Sequence, residues 1–157
     1  MPDYSIEAVR GLGEITPESD LDELVGQLAL NPGDIVLITS KVISKAEDMI
    51  SSGERLEAVS SEAIRTVAKR ANTHITENRL GLTMAASGVD ASNVAQGKVL
   101  LLPRDPDATA RKLRNHATVN IAVIITDTAG RPWRQGQTDM AIGVAGMKPL
   151  KDFRGKL

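Results

Sequence analysis

The residues best equipped for chemistry lie in the run from Thr126 to Asp139. Asp127-Thr128 is followed there by Gly130-Arg131-Pro132-Trp133-Arg134 and Gly136-Gln137-Thr138-Asp139. Carboxylate and hydroxyl oxygens suit a hard divalent cation, and guanidinium groups match phosphate. The run directly follows Val119-Asn120-Ile121-Ala122-Val123-Ile124-Ile125, an apolar, β-branched segment that predicts a buried strand. An Asp ending such a strand is desolvated unless something pairs with it. Packing does not explain why one loop should carry two carboxylates, two arginines and two glycines.

Two other segments have the same form. Ile35-Val36-Leu37-Ile38-Thr39 predicts a strand that gives way to Ser40-Lys41-Val42-Ile43-Ser44-Lys45. Leu82 to Ala86 predicts a short strand leading into Gly88-Val89-Asp90-Ala91-Ser92-Asn93. Asp90 and Asp127 are candidate ligands for Mg²⁺ or Mn²⁺, which take one or two carboxylates together with phosphate oxygens and water. Thr128 adds a further oxygen donor. Lys41 and Lys45 are candidate point charges for phosphate. Each has a plainer reading beside it. Asp90 is also a turn former, Lys41, Lys45, Arg131 and Arg134 are also solvated surface charges, and Trp133 is also a packed anchor for its loop. His74 and His116 stand in no metal-ligand spacing and read as structural, His116 near a helix C-terminus where a cation is favoured. No nucleophile elbow or Walker lysine loop is present. Gly11-Leu12-Gly13 begins like a dinucleotide fingerprint, but Thr16 stands where the third glycine belongs.

The elements that must position these residues alternate along the chain. Tyr4 to Val9 predicts a first strand. Ser19 or Asp20 caps a helix carrying Leu21, Leu24, Val25 and Leu28 on one face. Asn31-Pro32-Gly33-Asp34 is a turn, because Pro fixes φ and Gly permits positive φ. Ser60 or Ser61 caps a second predicted helix with Ile64, Val67, Ala68 and Ala71 at helical spacing. Val99 to Leu102 predicts a strand. Asp105-Pro106-Asp107 opens a third helix, running to about Ala117, with Asp as cap and Pro in the first turn. Strands that are apolar throughout, interleaved with helices, predict an α/β (mixed α+β) fold: a mixed sheet covered by helices on its faces. In such sheets ligands bind outside the carboxyl ends of strands. Side by side, the loops at Ser40, Asp90 and Asp127 would build one site from distant segments.

Composition sets the outer limits. The chain has 157 residues, a single-domain length, and a chain of that size buries roughly 70% of its unfolded surface. Net charge is −1, so no long-range field favours nucleic acid. Tyr4, Trp133 and Phe153 are the aromatics, too few for base-stacking platforms. There are no cysteines, which excludes disulfides, zinc-thiolate sites and Cys nucleophiles together. No signal peptide is read, and no apolar run is long enough for a membrane span. The expected location is the cytoplasm, with neither nucleic acid nor membrane as partner.

At this point the chain resembles a known family, the coenzyme F420-0 γ-glutamyl ligases. The stretches that carry the resemblance are Gly11-Leu12-Gly13-Glu14-Ile15; Gly33-Asp34 and Thr39 through Glu47; Gly88-Val89-Asp90-Ala91-Ser92-Asn93; Leu101-Leu102-Pro103 with Asp105-Pro106-Asp107; and Thr126 through Gly146. They occur in the family's order over nearly the whole chain. The resemblance implies a γ-glutamyl ligase-like fold and a GTP-dependent ligase adding L-glutamate to coenzyme F420-0 through an acyl phosphate. It implies GTP contacts at Leu12, Gly13, Glu14, Ile15, Ser40, Lys45 and Asn93, with Lys41 added on its charge and placement. It implies divalent metal (Mg²⁺ or Mn²⁺, with K⁺ a further candidate cation) at Asp90, Asp127 and Thr128. Lys45, Asp127 and Arg131 are the expected catalytic residues, Arg131 again on charge and placement. A homodimer is expected by resemblance. Two departures stand out. Family members continue beyond the position of Leu157, so residues 1–157 are expected to form one partial domain, incomplete at its C-terminal side. Where the family often has Arg-His-Gly, this chain has Arg79-Leu80-Gly81, so no His role carries over. Two other readings remain open: a nucleotide-binding fragment or interaction domain without turnover, and a related amide ligase with another acceptor.

Overall fold

The structure is a computed structural model that describes residues 4–130 and 135–155. In chain order its elements are α1 (Leu21–Gly26), β1 (Ile35–Thr39), α2 (Ser40–Ala46), β2 (Ile50–Ser52), α3 (Arg55–Glu62), β3 (Ala63–Arg70), β4 (Thr73–Asn78), β5 (Thr83–Ala85), β6 (Lys98–Leu100), α4 (Pro106–His116), β7 (Ala122–Gly130) and β8 (Gln137–Ala145). The mixed α+β class is as expected. The central sheet has the order β1-β7-β8, with β1 parallel to β7 and β8 antiparallel to it. A two-stranded β2-β6 pair and a three-stranded β3-β4-β5 sheet flank it.

The main core lies between the central sheet and α4. Val36 and Ile38 of β1 share a face with Val123, Ile125 and Ala145, and they pack with Ala110 and Leu113 of α4, Val25 of α1 and Ile43 of α2. Ile43, Ala110, Val123 and Ile125 are completely buried. A side chain of that size stabilises the fold by about 1.5–3 kcal/mol on burial. The other face of β1 carries Ile35 and Leu37, which are 53% and 62% exposed. Its unbroken apolar run therefore does not correspond to cover on both faces in the single chain. A second cluster joins Ala58 and Val59 of α3 to Val89 and Val99, beneath the Asp90 segment.

Local signals explain several boundaries. Asp20 caps α1, its carboxylate accepting from the backbone N–H of Asp22 and Glu23 at 2.9 and 3.1 Å. Asp105 caps α4 by accepting from the Ala108 N–H at 2.8 Å, with Pro106 as first residue. Asp107 accepts from the Val144 N–H at 2.8 Å, tying α4 to β8. Gly143 makes that approach possible, because a Cβ there would lie 2.5 Å from the Pro106 carbonyl carbon. Gly143→Ala is therefore expected to destabilise the protein by roughly 3 kcal/mol, the upper end of overpacking costs. A urea midpoint equal to wild type would refute that reading.

Three sequence expectations are corrected. The helix expected from Ser60 or Ser61 through Ala71 is α3, placed earlier, followed by β3. Ser60 and Ser61 lie inside α3, and their hydroxyls donate to the carbonyls of Leu56 and Ala58. Ile64, Thr66 and Val67 are β-branched and favour a strand; β3 pairs with β4 across a turn at Ala71, where φ is 49°, with Thr66 opposite Thr76 and Ile64 and Val67 at the irregularities in the register. Two register shifts in β3 disturb its two-residue alternation, which is why the apolar spacing imitates a helix. Second, Tyr4 to Val9 is not a strand: the segment is irregular, and Tyr4 and Ile6 are 87% and 85% exposed. Third, the strand expected at 119–125 starts at Ala122 and runs on to Gly130. Asp127 and Thr128 thus lie within a hairpin rather than a loop, in register with Met140 and Asp139 of β8.

Candidate active site

The parallel pairing of β1 with β7 decides the geometry. Thr39 is in register with Thr126, so the first residue of α2 and the residue after Thr126 arrive at the same sheet end. Ser40, 3% exposed, donates its hydroxyl hydrogen to Asp127 Oδ1 at 2.7 Å. One residue on, Lys41 Nζ lies 2.7 Å from Asp90 Oδ2 and donates to Ser92 Oγ at 2.7 Å. Residues distant in sequence, near 40, 90 and 127, therefore meet, as the loop-clustering argument expected.

Asp90 is held from both sides. Its backbone pairs with Leu100, and the three residues Ala86, Ser87 and Gly88 just before it all have positive φ, at 52°, 55° and 80°. Two of these are not glycine, so the turn is strained and needs support. Buried Ser87 supplies it: its hydroxyl donates to the Val59 carbonyl and lies 2.8 Å from the Thr76 hydroxyl, which in turn accepts from the Ser87 N–H. The Asp90 carboxylate accepts from both the N–H and the hydroxyl of Ser92. The turn-former reading and the site reading of Asp90 thus both describe this residue.

The two carboxylates are shifted in opposite directions. Burial raises the pKa of Asp127, and the nearby Asp90 charge pushes the same way; hydrogen bonds from Ser40 and the Thr128 backbone only partly offset this, so the net shift is upward. Burial also acts to raise Asp90, but hydrogen bonds from Lys41 and Ser92 outweigh it and the net shift is downward. Asp90 is thus neutralised by a lysine, whereas Asp127 is a half-buried carboxylate short of positive charge.

These groups line an open cleft of about 470 Å³. Its lining joins the polar Thr39, Lys41, Asp90, Asp127 and Thr128 to Met84, Ala85, Val89 and Arg55. A smaller cavity of about 10 Å³ touches Ser40, Ser44 and Asp127, room for roughly one water. The donor set for a cation is two carboxylates with hydroxyls nearby; among the described residues no three His, Cys, Asp or Glu side chains cluster as a metal site. Hard oxygen donors in that number fit Mg²⁺ or Mn²⁺ completed by phosphate oxygens and water.

The remaining candidates are placed less centrally. Lys45, one helical turn beyond Lys41, is 14% exposed and ion-paired with Glu14, which draws the Gly11–Ile15 segment against α2. Leu12 and Gly13 lie on that irregular segment and do not line the cleft. Asn93 stands in positive φ on the exposed loop beyond Asp90. Arg131, Trp133 and Arg134 lie outside the described residues. The sequence gives no signal for Arg55 or Ser92 at the site, and marks Asp139 only as one of the two carboxylates of the 126–139 run. Asp139 accepts from the Thr128 hydroxyl at 2.5 Å, so it orients one of the expected oxygen donors. Its register with Thr128 comes from the pairing of β7 with β8, which local sequence does not display. His116 bonds to the Lys112 carbonyl and faces Asp22, in keeping with a structural role.

Residues 11–157 match the profile of the F420-0:Gamma-glutamyl ligase family. The chain belongs to that family. It is 37% identical over 182 aligned positions to the coenzyme F420:L-glutamate ligase of Methanopyrus kandleri, covering 99% of this chain and 71% of the relative. The enzyme of the same name from Halobacterium salinarum is 33% identical, covering 95% of this chain and 69% of the relative. That from Methanothermobacter thermautotrophicus is 32% identical, covering 97% and 72%. Family membership makes the chain an amide-bond-forming ligase by descent. No helix among the described residues is long and apolar enough to cross a membrane.

Proposed function

We propose that this γ-glutamyl ligase-family chain uses GTP and a divalent cation to join L-glutamate to coenzyme F420-0 through an acyl phosphate. The observation that carries the reading is the convergence of Lys41, Asp90, Asp127 and Thr128 on one cleft, with buried Ser40 bonded to Asp127, in a chain 37% identical to a named F420:L-glutamate ligase.

The chemistry follows from the reactants. A carboxylate is a poor acyl donor, so an oxygen of the acceptor's carboxylate attacks the γ-phosphorus of GTP, and GDP leaves. The amine of glutamate then attacks the acyl carbon, inorganic phosphate leaves, and the amine proton passes to solvent. Asp90, Asp127 and Thr128 would hold Mg²⁺ or Mn²⁺, which when bound offsets charge on the phosphates. Ser40 fixes the orientation of Asp127 by its hydrogen bond. Lys41 and Lys45 stand on consecutive turns of α2 facing acidic partners, and a phosphate chain would compete with those partners for them. Positioning by such charges converts a bimolecular reaction into an oriented one. No covalent protein nucleophile is required. A cytoplasmic homodimer completes the proposal, the exposed Ile35 and Leu37 offering apolar surface for a second subunit to cover.

Nucleotide choice is the direct check on this reading. Calorimetric titration in Mg²⁺ is expected to show GTP bound at least tenfold more tightly than ATP, and Lys45→Ala to weaken GTP about tenfold. Equal affinity for both nucleotides, or none for either, would contradict it.

A further inference from the structure

We infer that Arg55 is the residue that receives a substrate carboxylate in this cleft. The inference rests on the ligase reading above and names a subsite within it. Arg55 is the first residue of α3 and lines the same cleft as Asp90 and Asp127. Its Nη2 donates to the Val89 carbonyl at 3.2 Å, which anchors the guanidinium beside the Asp90 segment. Among the described residues it has no carboxylate partner, whereas Lys41 is committed to Asp90 and Lys45 to Glu14.

Charge decides where an acidic substrate must sit. Asp90 and Asp127 repel a carboxylate, and a cation held by them would be shared with phosphate. Arg55 has N–H donors left beyond its bond to the Val89 carbonyl, and a guanidinium fork matches a carboxylate by two parallel hydrogen bonds. Met84, Ala85 and Val89 line the same cleft and add apolar surface to it. The carboxylate belongs either to the incoming glutamate or to the acceptor, and binding measurements separate the two.

The test is calorimetry on the full chain with Mg²⁺ and a non-hydrolysable GTP analogue, titrating L-glutamate and F420-0 separately into wild type, Arg55→Ala and Arg55→Lys. The expected result is a loss of affinity of at least tenfold for one of the two acids in Arg55→Ala, a smaller loss in Arg55→Lys, and unchanged binding of the analogue. Melting temperatures establish that each variant is folded. Affinities for both acids within twofold of wild type, or a loss confined to the nucleotide, would overturn the role of Arg55 while leaving the ligase reading intact. Wild type that binds neither acid would overturn the ligase reading, and the subsite with it.

Discussion

Asp127→Asn is expected to lower glutamate ligation on the order of 10³-fold, equivalent to about 4 kcal/mol of barrier, while leaving the fold at least as stable as wild type. The substitution keeps the shape of the side chain and an oxygen that can accept from Ser40, but removes the charge a divalent cation needs. Stability moves the other way for a definite reason. The pKa of Asp127 is raised chiefly by burial. A carboxylate with a raised pKa contributes stability that is fully present below the unfolded value near 4 and is lost as pH rises through the folded value. At neutral pH the ionised, metal-free Asp127 therefore weighs against folding, and Asn does not. Melting curves without metal should show Asp127→Asn equal to or above wild type at pH 7. The same shift requires wild-type metal affinity to increase with pH across the folded value. Full turnover in Asp127→Asn, or a large drop in its melting temperature, would contradict this account.

Arg79→Ala is expected to cost about 3 kcal/mol of stability and roughly 10 °C in melting temperature. Arg79 acts as a cross-link. Its Nε donates to Glu62 at 2.7 Å, and its two terminal nitrogens donate to the carbonyls of Leu102, Pro103 and Arg104. Truncation leaves the 8%-exposed Glu62 without its counter-charge and frees three carbonyls at the chain's entry to α4. Arg79→Lys should recover only part of the loss, because an ammonium cannot reproduce the planar fork. Thermal melts of the two variants measure this; an alanine variant within 1 kcal/mol of wild type would show that the network is dispensable.

Legibility in the sequence followed from how local the determining physics is. The Asp20 and Asp105 caps, the Pro32-Gly33 turn and the β1 strand were readable because a few adjacent residues specify each. The α3-to-β3 transition was not, because pairing with β4 and two irregularities in the register override an apparently helical spacing. The extension of β7 was hidden for a different reason. Polarity reports burial, and Thr126 to Gly130 run beyond the core into the cleft while still hydrogen-bonded to β8. The site was legible as residue types at strand ends, and Asp90, Asp127, Ser40 and Lys41 do meet. What stayed invisible was pairing: that Lys41 is consumed by Asp90, that Asp139 holds Thr128, and that Arg55 arrives from a helix with no motif to mark it.

The central claim, a working γ-glutamyl ligase site in this cleft, is tested most directly by mass spectrometry of F420-0 incubated with the folded chain, GTP, Mg²⁺ or Mn²⁺ and L-glutamate, with Asp127→Asn as control. The account predicts product heavier by one or more glutamyl units with wild type and none with the control. Unmodified F420-0 from folded wild type, or equal conversion by Asp127→Asn, would contradict it.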